Sequence, residues 1–197
     1  MPILSSAPMA TAALHEHQDR LLKGFARAVI DKGYAATTIA DIVGEAAVSR
    51  RTFYEYFPAG KAECFIALYE QLSLHGLDVL RQAIDPAQPW ERQVDVVMAN
   101  YLAWMASDPR LIRTLFIEIL SLGAEGLAVR RRVQHEIVKV VLEITGQAVD
   151  DPDRRAMAMA VVGAIHELVL ERLELEDASG VEQLTPLASS LVRRLLV

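Results

Sequence analysis

Ser49, Arg50, Arg51 and Thr52 stand in a row at the start of a short helical pattern that ends at Phe57, just before Pro58-Ala59-Gly60. This set suits the edges of base pairs in a DNA major groove. Arginine makes bidentate hydrogen bonds to guanine, and serine and threonine hydroxyls serve bases or phosphates. Phe53 and Phe57, four residues apart, are expected to turn inward and anchor the helix, while Tyr54 and Tyr56 reach outward to phosphate oxygens. Helix N-termini attract phosphate. Thr38 and Lys61, which open the helices on either side, therefore join the candidates.

Other chemistry finds no comparable set. His15 and His17 are two apart, on different faces of a helix, and no His-Glu-x-x-His or cysteine pair accompanies them. Asp150, Asp151 and Asp153 read as a solvated loop cluster that favours a helix start. There is no glycine-rich phosphate loop and no nucleophile elbow. The lone Cys64 excludes an intramolecular disulfide and a cysteine-rich zinc site, and suits a reducing cytosol. The chain is read as non-enzymatic, with no cofactor.

The elements that position Ser49–Thr52 follow from periodicity. Leu21, Phe25 and Val29 form one stripe and Leu22, Ala26 and Ile30 its neighbour, predicting an amphipathic helix from near His15 that Gly33 caps. Thr38 and Asp41 have capping-box spacing, with Asp in place of the usual Glu. Ile39, Ile42, Val43 and Ala46 supply that second helix with an inward face. The third runs from Ser49 to Phe57. Longer helices are expected over 61–84, 90–107, 108–122, 127–144, 153–176 and 181–196, with Asp85–Pro89, Gly123–Gly126 and Gly146–Pro152 as breaks. There is no strand alternation, so the chain is read as all-α with about nine helices.

Net charge is −6 over 197 residues, so any nucleic-acid contact must be a local patch. Residues 1–65 carry seven basic and seven acidic groups, which places the whole deficit in the C-terminal part. Met1–Ala13 reads as a loose arm without Lys or Arg, unsuited to the minor groove and lacking the basic start of a signal peptide. No apolar run approaches the ~18 residues of a membrane span.

Thr37-Thr38-Ile39-Ala40-Asp41-Ile42-Val43-Gly44-Glu45-Ala46-Ala47-Val48-Ser49-Arg50-Arg51-Thr52-Phe53-Tyr54-Glu55-Tyr56-Phe57 closely resembles the signature of the tetracycline-repressor (TetR) family. That signature is a Thr-rich helix start, a paired Ile-Ala, an Ala-Gly-Val-Ser turn, Thr-Phe-Tyr or Thr-Leu-Tyr, an aromatic-Phe pair, and Lys-Glu opening the fourth helix. Here Val43 replaces the Ala of the pair, Ala47 the turn Gly, and Pro58–Glu63 a shorter linker. The resemblance implies a three-helix helix-turn-helix domain over 1–60 and a six-helix effector-binding and dimerisation domain over 61–197. It implies a cytoplasmic homodimeric regulator, a repressor released from double-stranded operator DNA when a small-molecule effector shifts the fourth helix. The DNA-binding candidates are then Thr38, Ser49, Arg50, Arg51, Thr52, Tyr54, Tyr56 and Lys61.

In the family the last two helices pair with their symmetry mates. Small residues there, Ala156, Ala160, Gly163 and Ala164 with Glu167 following, permit close helix approach, and Leu184, Leu187 and Leu191 form a stripe on the final helix. Intramolecular core is the competing reading of each. Met98, Trp104, Met105, Phe116 and Ile119 are the candidate lining of an effector pocket, and core is again the competitor. An alternative function is a helical interaction protein that has lost DNA binding.

Overall fold

The computed structural model describes residues 7–175 and 177–196, with side chains from Glu16 onward. Among these residues there are ten α-helices and one 3-10 turn, and no strand. They group into two compact units that divide after Tyr69.

In the first unit, α1 (Ala7–Ala36) begins inside the segment expected to be an arm; the remainder of that arm, residues 1–6, lies outside the described residues. Leu21, Leu22, Phe25 and Val29 are buried, as their spacing demands. Gly33, at φ 73 and ψ 164, breaks the helical path. Thr37 spans the break, its hydroxyl donating to the Gly33 carbonyl at 2.7 Å. α2 (Ile39–Ala46) opens with the expected capping box: the Asp41 N–H donates to Thr38 Oγ1 at 3.2 Å and the Thr38 N–H to Asp41 Oδ2 at 2.9 Å. A hydrogen bond from Lys32 at 2.6 Å, with those from Thr38, holds the Asp41 carboxyl well below the usual carboxylate range. α1 crosses α2 closely at Gly24, where a Cβ would stand 2.8 Å from the Ile42 carbonyl oxygen and 2.9 Å from the Ala46 nitrogen.

The turn between α2 and α3 (Arg50–Tyr56) closes on Ala47, left-handed at φ 51 and ψ 48. The Val48 N–H donates back to the Val43 carbonyl and the Ala47 N–H to that of Gly44, the hydrogen bonds of a Schellman motif. A Cβ in that conformation costs about 1–2 kcal/mol. Glycine there gives up part of the gain through its freer unfolded chain. Ala47→Gly is therefore expected to raise the unfolding free energy by about 0.5–1 kcal/mol, read by urea titration. Unchanged or lowered stability would mean that the turn carries no left-handed strain.

In the second unit lie the rest of α4 (Lys61–Gln82), α5 (Trp90–Ser107), α6 (Pro109–Glu118), α7 (Ala124–Ile144), α8 (Pro152–Glu174), α9 (Ala178–Gln183) and α10 (Thr185–Leu196). Three boundaries differ from expectation. The helix expected over 108–122 tightens into a 3-10 turn at Ile119–Leu122. α7 starts at Ala124 rather than after Gly126, because Gly126 serves close approach and not a turn: a Cβ there would fall 1.8 Å from the Ile119 carbonyl oxygen. The final helix splits in two at Leu184–Thr185, just before Pro186, which has no N–H to continue a helical ladder. The core of this unit joins Leu80, Leu102, Met105, Leu142, Val169 and Leu196.

Candidate functional site

α3 is held from behind. Phe53 and Phe57 are buried, their ring centroids 5.6 Å apart, so the helix is anchored on the face expected. α2, its brace, is tied to α1 by cations. Arg20 donates from Nε and a terminal nitrogen to the Ala46 carbonyl at 3.0 and 2.7 Å, and to that of Ala47 at 2.8 Å. These carbonyls close α2 and have no helical partner, so a guanidinium satisfies them and meets the negative end of the helix dipole. Arg27 reaches the Glu45 carboxylate at 3.0 Å and its carbonyl at 2.9 Å. Arg20 was not legible as a positioning residue; its partner carbonyls lie 26 and 27 residues away.

Lys61 does not face outward. Its ammonium donates to the Tyr34 carbonyl at 2.7 Å and the Thr37 carbonyl at 2.9 Å, and sits 4.2 Å from the Tyr34 ring centroid. Burial pushes its pKa down. The ammonium expected at a phosphate thus donates to carbonyls at and just beyond the end of α1. Cys64, one turn along, is fully buried, and burial, with Glu63 adjacent, pushes its thiol pKa well up.

The outer edge of α3 is what remains. The Ser49 side chain caps α3, accepting from the Thr52 N–H at 3.0 Å, and the two hydroxyls lie 2.9 Å apart. Arg50 and Arg51 are exposed, Tyr54 is half exposed, and Thr52 and Tyr56 are half-buried. Arg51 pairs with Glu55 at 3.0 Å, one turn along. Lys23 pairs with Asp19 and Lys32 with Asp41. Among the described residues of this unit, Arg50 is the one cation with neither an ion pair nor a hydrogen-bond partner. Thr38, at the start of α2, is exposed with its hydroxyl donating to Asp41 Oδ2 at 2.7 Å.

Residues 21–68 match the family of bacterial regulatory proteins described as the tetR family. The matched segment is about a quarter of the chain and holds the helix-turn-helix. The match covers α2, α3, the turn between them and most of their braces. A comparison with curated proteins gives no match. Among solved structures, the chain is similar to the fatty acid degradation regulator FadR of Bacillus halodurans, at 17% identity and a TM-score of 0.77 over 89% of this chain and 94% of that one. It is similar to FadR of Bacillus subtilis, solved in complex with stearoyl-CoA, at 15% identity and a TM-score of 0.73 over 88% and 96%. A TetR-family transcriptional regulator of Pectobacterium atrosepticum gives 23% identity and a TM-score of 0.66 over 94% and 97%. At these identities the likeness is one of fold.

In the second unit, Met98, Tyr101 and His166, with Ile137, Val141 and Val162 among others, line an apolar interior cavity of about 10 Å³. That is close to the ~10–15 Å³ a single water needs. Tyr101 Oη and His166 Nε2, 3.2 Å apart and buried, are its polar pair. Of the expected lining only Met98 reaches this cavity. Trp104 stacks on Tyr101 at 5.6 Å between ring centroids, and Phe116 packs on His166 at 5.2 Å. Both therefore stand behind its wall. Met105 and Ile119 are fully buried and do not line it. Both are core, because their faces of α5 and the 3-10 turn point into packed neighbours. Tyr101 and His166, the polar members, were missed: one of each type on a helix carries no spacing signal.

Burial, with Arg130 nearby, pushes the His166 pKa from 6.5 down to about 4. The folded protein keeps the ring neutral where the unfolded chain would protonate it. The resulting stability is complete above pH 6.5 and is lost as pH falls toward 4. From pH 7 to pH 4.5 the wild type is expected to lose about 2–3 kcal/mol more unfolding free energy than His166→Gln. Equal losses in the two proteins, measured by urea titration, would show that His166 is not held neutral.

On α8, Ala156, Ala160, Ala164 and Glu167 are exposed and Gly163 half-buried, forming one outward face. On α10, Leu187 is 46% exposed and Leu191 half-buried, whereas Leu184 is buried in the core of its own chain. Leu184 falls at the break between α9 and α10, which turns it off the outward stripe.

Proposed function

We propose that this regulator is a repressor that binds a two-fold operator as a homodimer and releases it when a small molecule occupies the second unit. The observation that carries the DNA reading is Arg50, exposed and without a partner at the first turn of a helix braced by Phe53, Phe57 and the Arg20-capped turn. Arg50 and Arg51 then read base edges in the major groove. Ser49, Thr52, Tyr54, Tyr56 and Thr38 serve phosphates or fix the register. One short helix covers only a few base pairs, so specificity requires two heads, and the outward apolar faces of α8 and α10 suit pairing with a second copy. Effector release acts through α4, whose first turns belong to the first unit and the rest to the second. The domains divide functionally as reading (1–60) and effector-binding and dimerising (61–197). Among the described residues no helix is long and apolar enough to cross a membrane, which accords with a cytoplasmic place of action.

Selection of bound fragments from the parent genome supplies the operator, and binding is then followed against salt. A regulator gripping phosphates loses affinity steeply as salt rises. If no fragment is enriched, the chain is a helical interaction protein instead.

A further inference from the structure

A groove of about 530 Å³ lies between α4 and α7, within the ~300–1,000 Å³ typical of small-molecule sites. Its floor is apolar: Leu77 is buried, Val133 is partly buried, and Leu74 is 59% exposed. Its rim is charged. Arg132 is paired with Glu70 and Lys139 with Glu136, so both acids of the groove are neutralised. Arg155, from the first turns of α8, has no ion pair among the described residues, and His135 is exposed on the same rim. The groove thus carries a net positive charge above an apolar floor.

That floor leads inward. Leu77 is one helical turn from Leu80 on α4, and Val133 one turn from Ile137 on α7. Leu80 and Ile137 belong to the wall of the interior cavity that holds Tyr101 and His166. Groove and cavity are thus lined by side chains one turn apart on the same two helices. Aliphatic side chains part by changing rotamer, with no hydrogen bond broken.

We infer that the groove binds an amphiphile with one anionic head group, a carboxylate or a phosphate ester. The head sits against Arg155 with Arg132 and Lys139, and the alkyl chain passes between α4 and α7 toward Tyr101 and His166. The inference deepens the effector-release reading by naming the ligand class, and binding is measured without DNA so that the two stand or fall separately.

The test follows Trp104 fluorescence in a Trp90→Phe protein, since Trp104 stacks on Tyr101. Dodecanoate, dodecyl phosphate, dodecanol and butyrate are titrated below their aggregation concentrations. At least one of the two dodecyl anions is expected to shift the emission saturably and to bind at least tenfold tighter than dodecanol; the tighter of the two identifies the head group. Butyrate, too short to reach inward, is expected to leave the emission unchanged. Arg155→Ala, at an exposed position, is expected to weaken the preferred anion at least fivefold and to leave dodecanol as it was. Dodecanol binding as tightly as both anions, or an Arg155→Ala protein with unaltered anion affinity, overturns the inference. Anion binding that leaves the operator complex intact sustains it and removes the effector-release reading instead.

Discussion

Arg50→Ala combined with Arg51→Ala is expected to lower operator affinity by about 1,000-fold while leaving the helical fold intact. Each arginine lost from a base edge or phosphate costs ~1–3 kcal/mol. A two-fold complex contains each arginine twice, so even the lower figure gives about 4 kcal/mol. The fold pays little for the change. Arg51 is 89% exposed at its side chain and its pairing with Glu55 is a surface ion pair of small worth. Arg50 has no partner to lose. The single variants separate the two roles: a base contact relaxes specificity at one operator position, whereas a phosphate contact weakens all sequences alike and flattens the salt dependence. Binding is read by fluorescence anisotropy on the selected operator, with circular dichroism to confirm helicity. Operator affinity within a few-fold of wild type would remove α3 as the reading helix.

Gly163→Asp is expected to dissociate the proposed dimer, leaving monomer at micromolar concentration. A Cβ at Gly163 meets nothing within 4 Å in its own chain, so the monomer accommodates the side chain without repacking. Asp is at least as acceptable as Gly inside a helix. In a two-fold interface the same residue meets its own surroundings from the partner, so a carboxylate introduced there appears twice in a dehydrated patch. The neighbouring Ala156, Ala160 and Ala164 offer no counter-charge, and Glu167 on the same face adds repulsion. An unpaired buried charge costs several kcal/mol, enough to dissociate a dimer of ordinary affinity. Sedimentation velocity reads the outcome, and operator affinity falls with it because each monomer keeps only one reading head. A dimer unchanged by Gly163→Asp would move the interface off this face of α8. Leu187→Glu, on the exposed side of α10, then tests the other half of the same surface.

The two experiments rest on features that differ in how they were legible. The outer edge of α3 was visible because its signals are local. A capping pair three residues apart, an inward Phe pair four apart and a row of donors at a helix start are all fixed by the α-helical repeat. The outward stripe of α8 was visible for the same reason. Leu184 was misplaced because periodicity runs on through a break, and the consequence of Pro186 for the preceding residue depends on how α9 and α10 pack. The partners of Lys61 were illegible for another reason. Its ammonium answers carbonyls 24 to 27 residues earlier, and nothing in the spacing of Pro58–Glu63 indicates that those carbonyls stand nearby.

The sequence by itself determined the all-α class, the helix-turn-helix and the inward faces of its three helices, because periodicity, caps and turn residues act within a few residues of one another. Only the tertiary structure decided which charges are free. Of seven cations in the first unit, the packing of α1 against α2 and α4 commits Arg20, Arg27, Lys32 and Lys61 to carboxylates and orphan carbonyls far along the chain. That leaves Arg50 unspent at the exposed edge of α3. Likewise the groove between α4 and α7 and the buried Tyr101–His166 pair join residues more than 60 positions apart. Closure over such distances is set by how faces pack, and no local pattern encodes it.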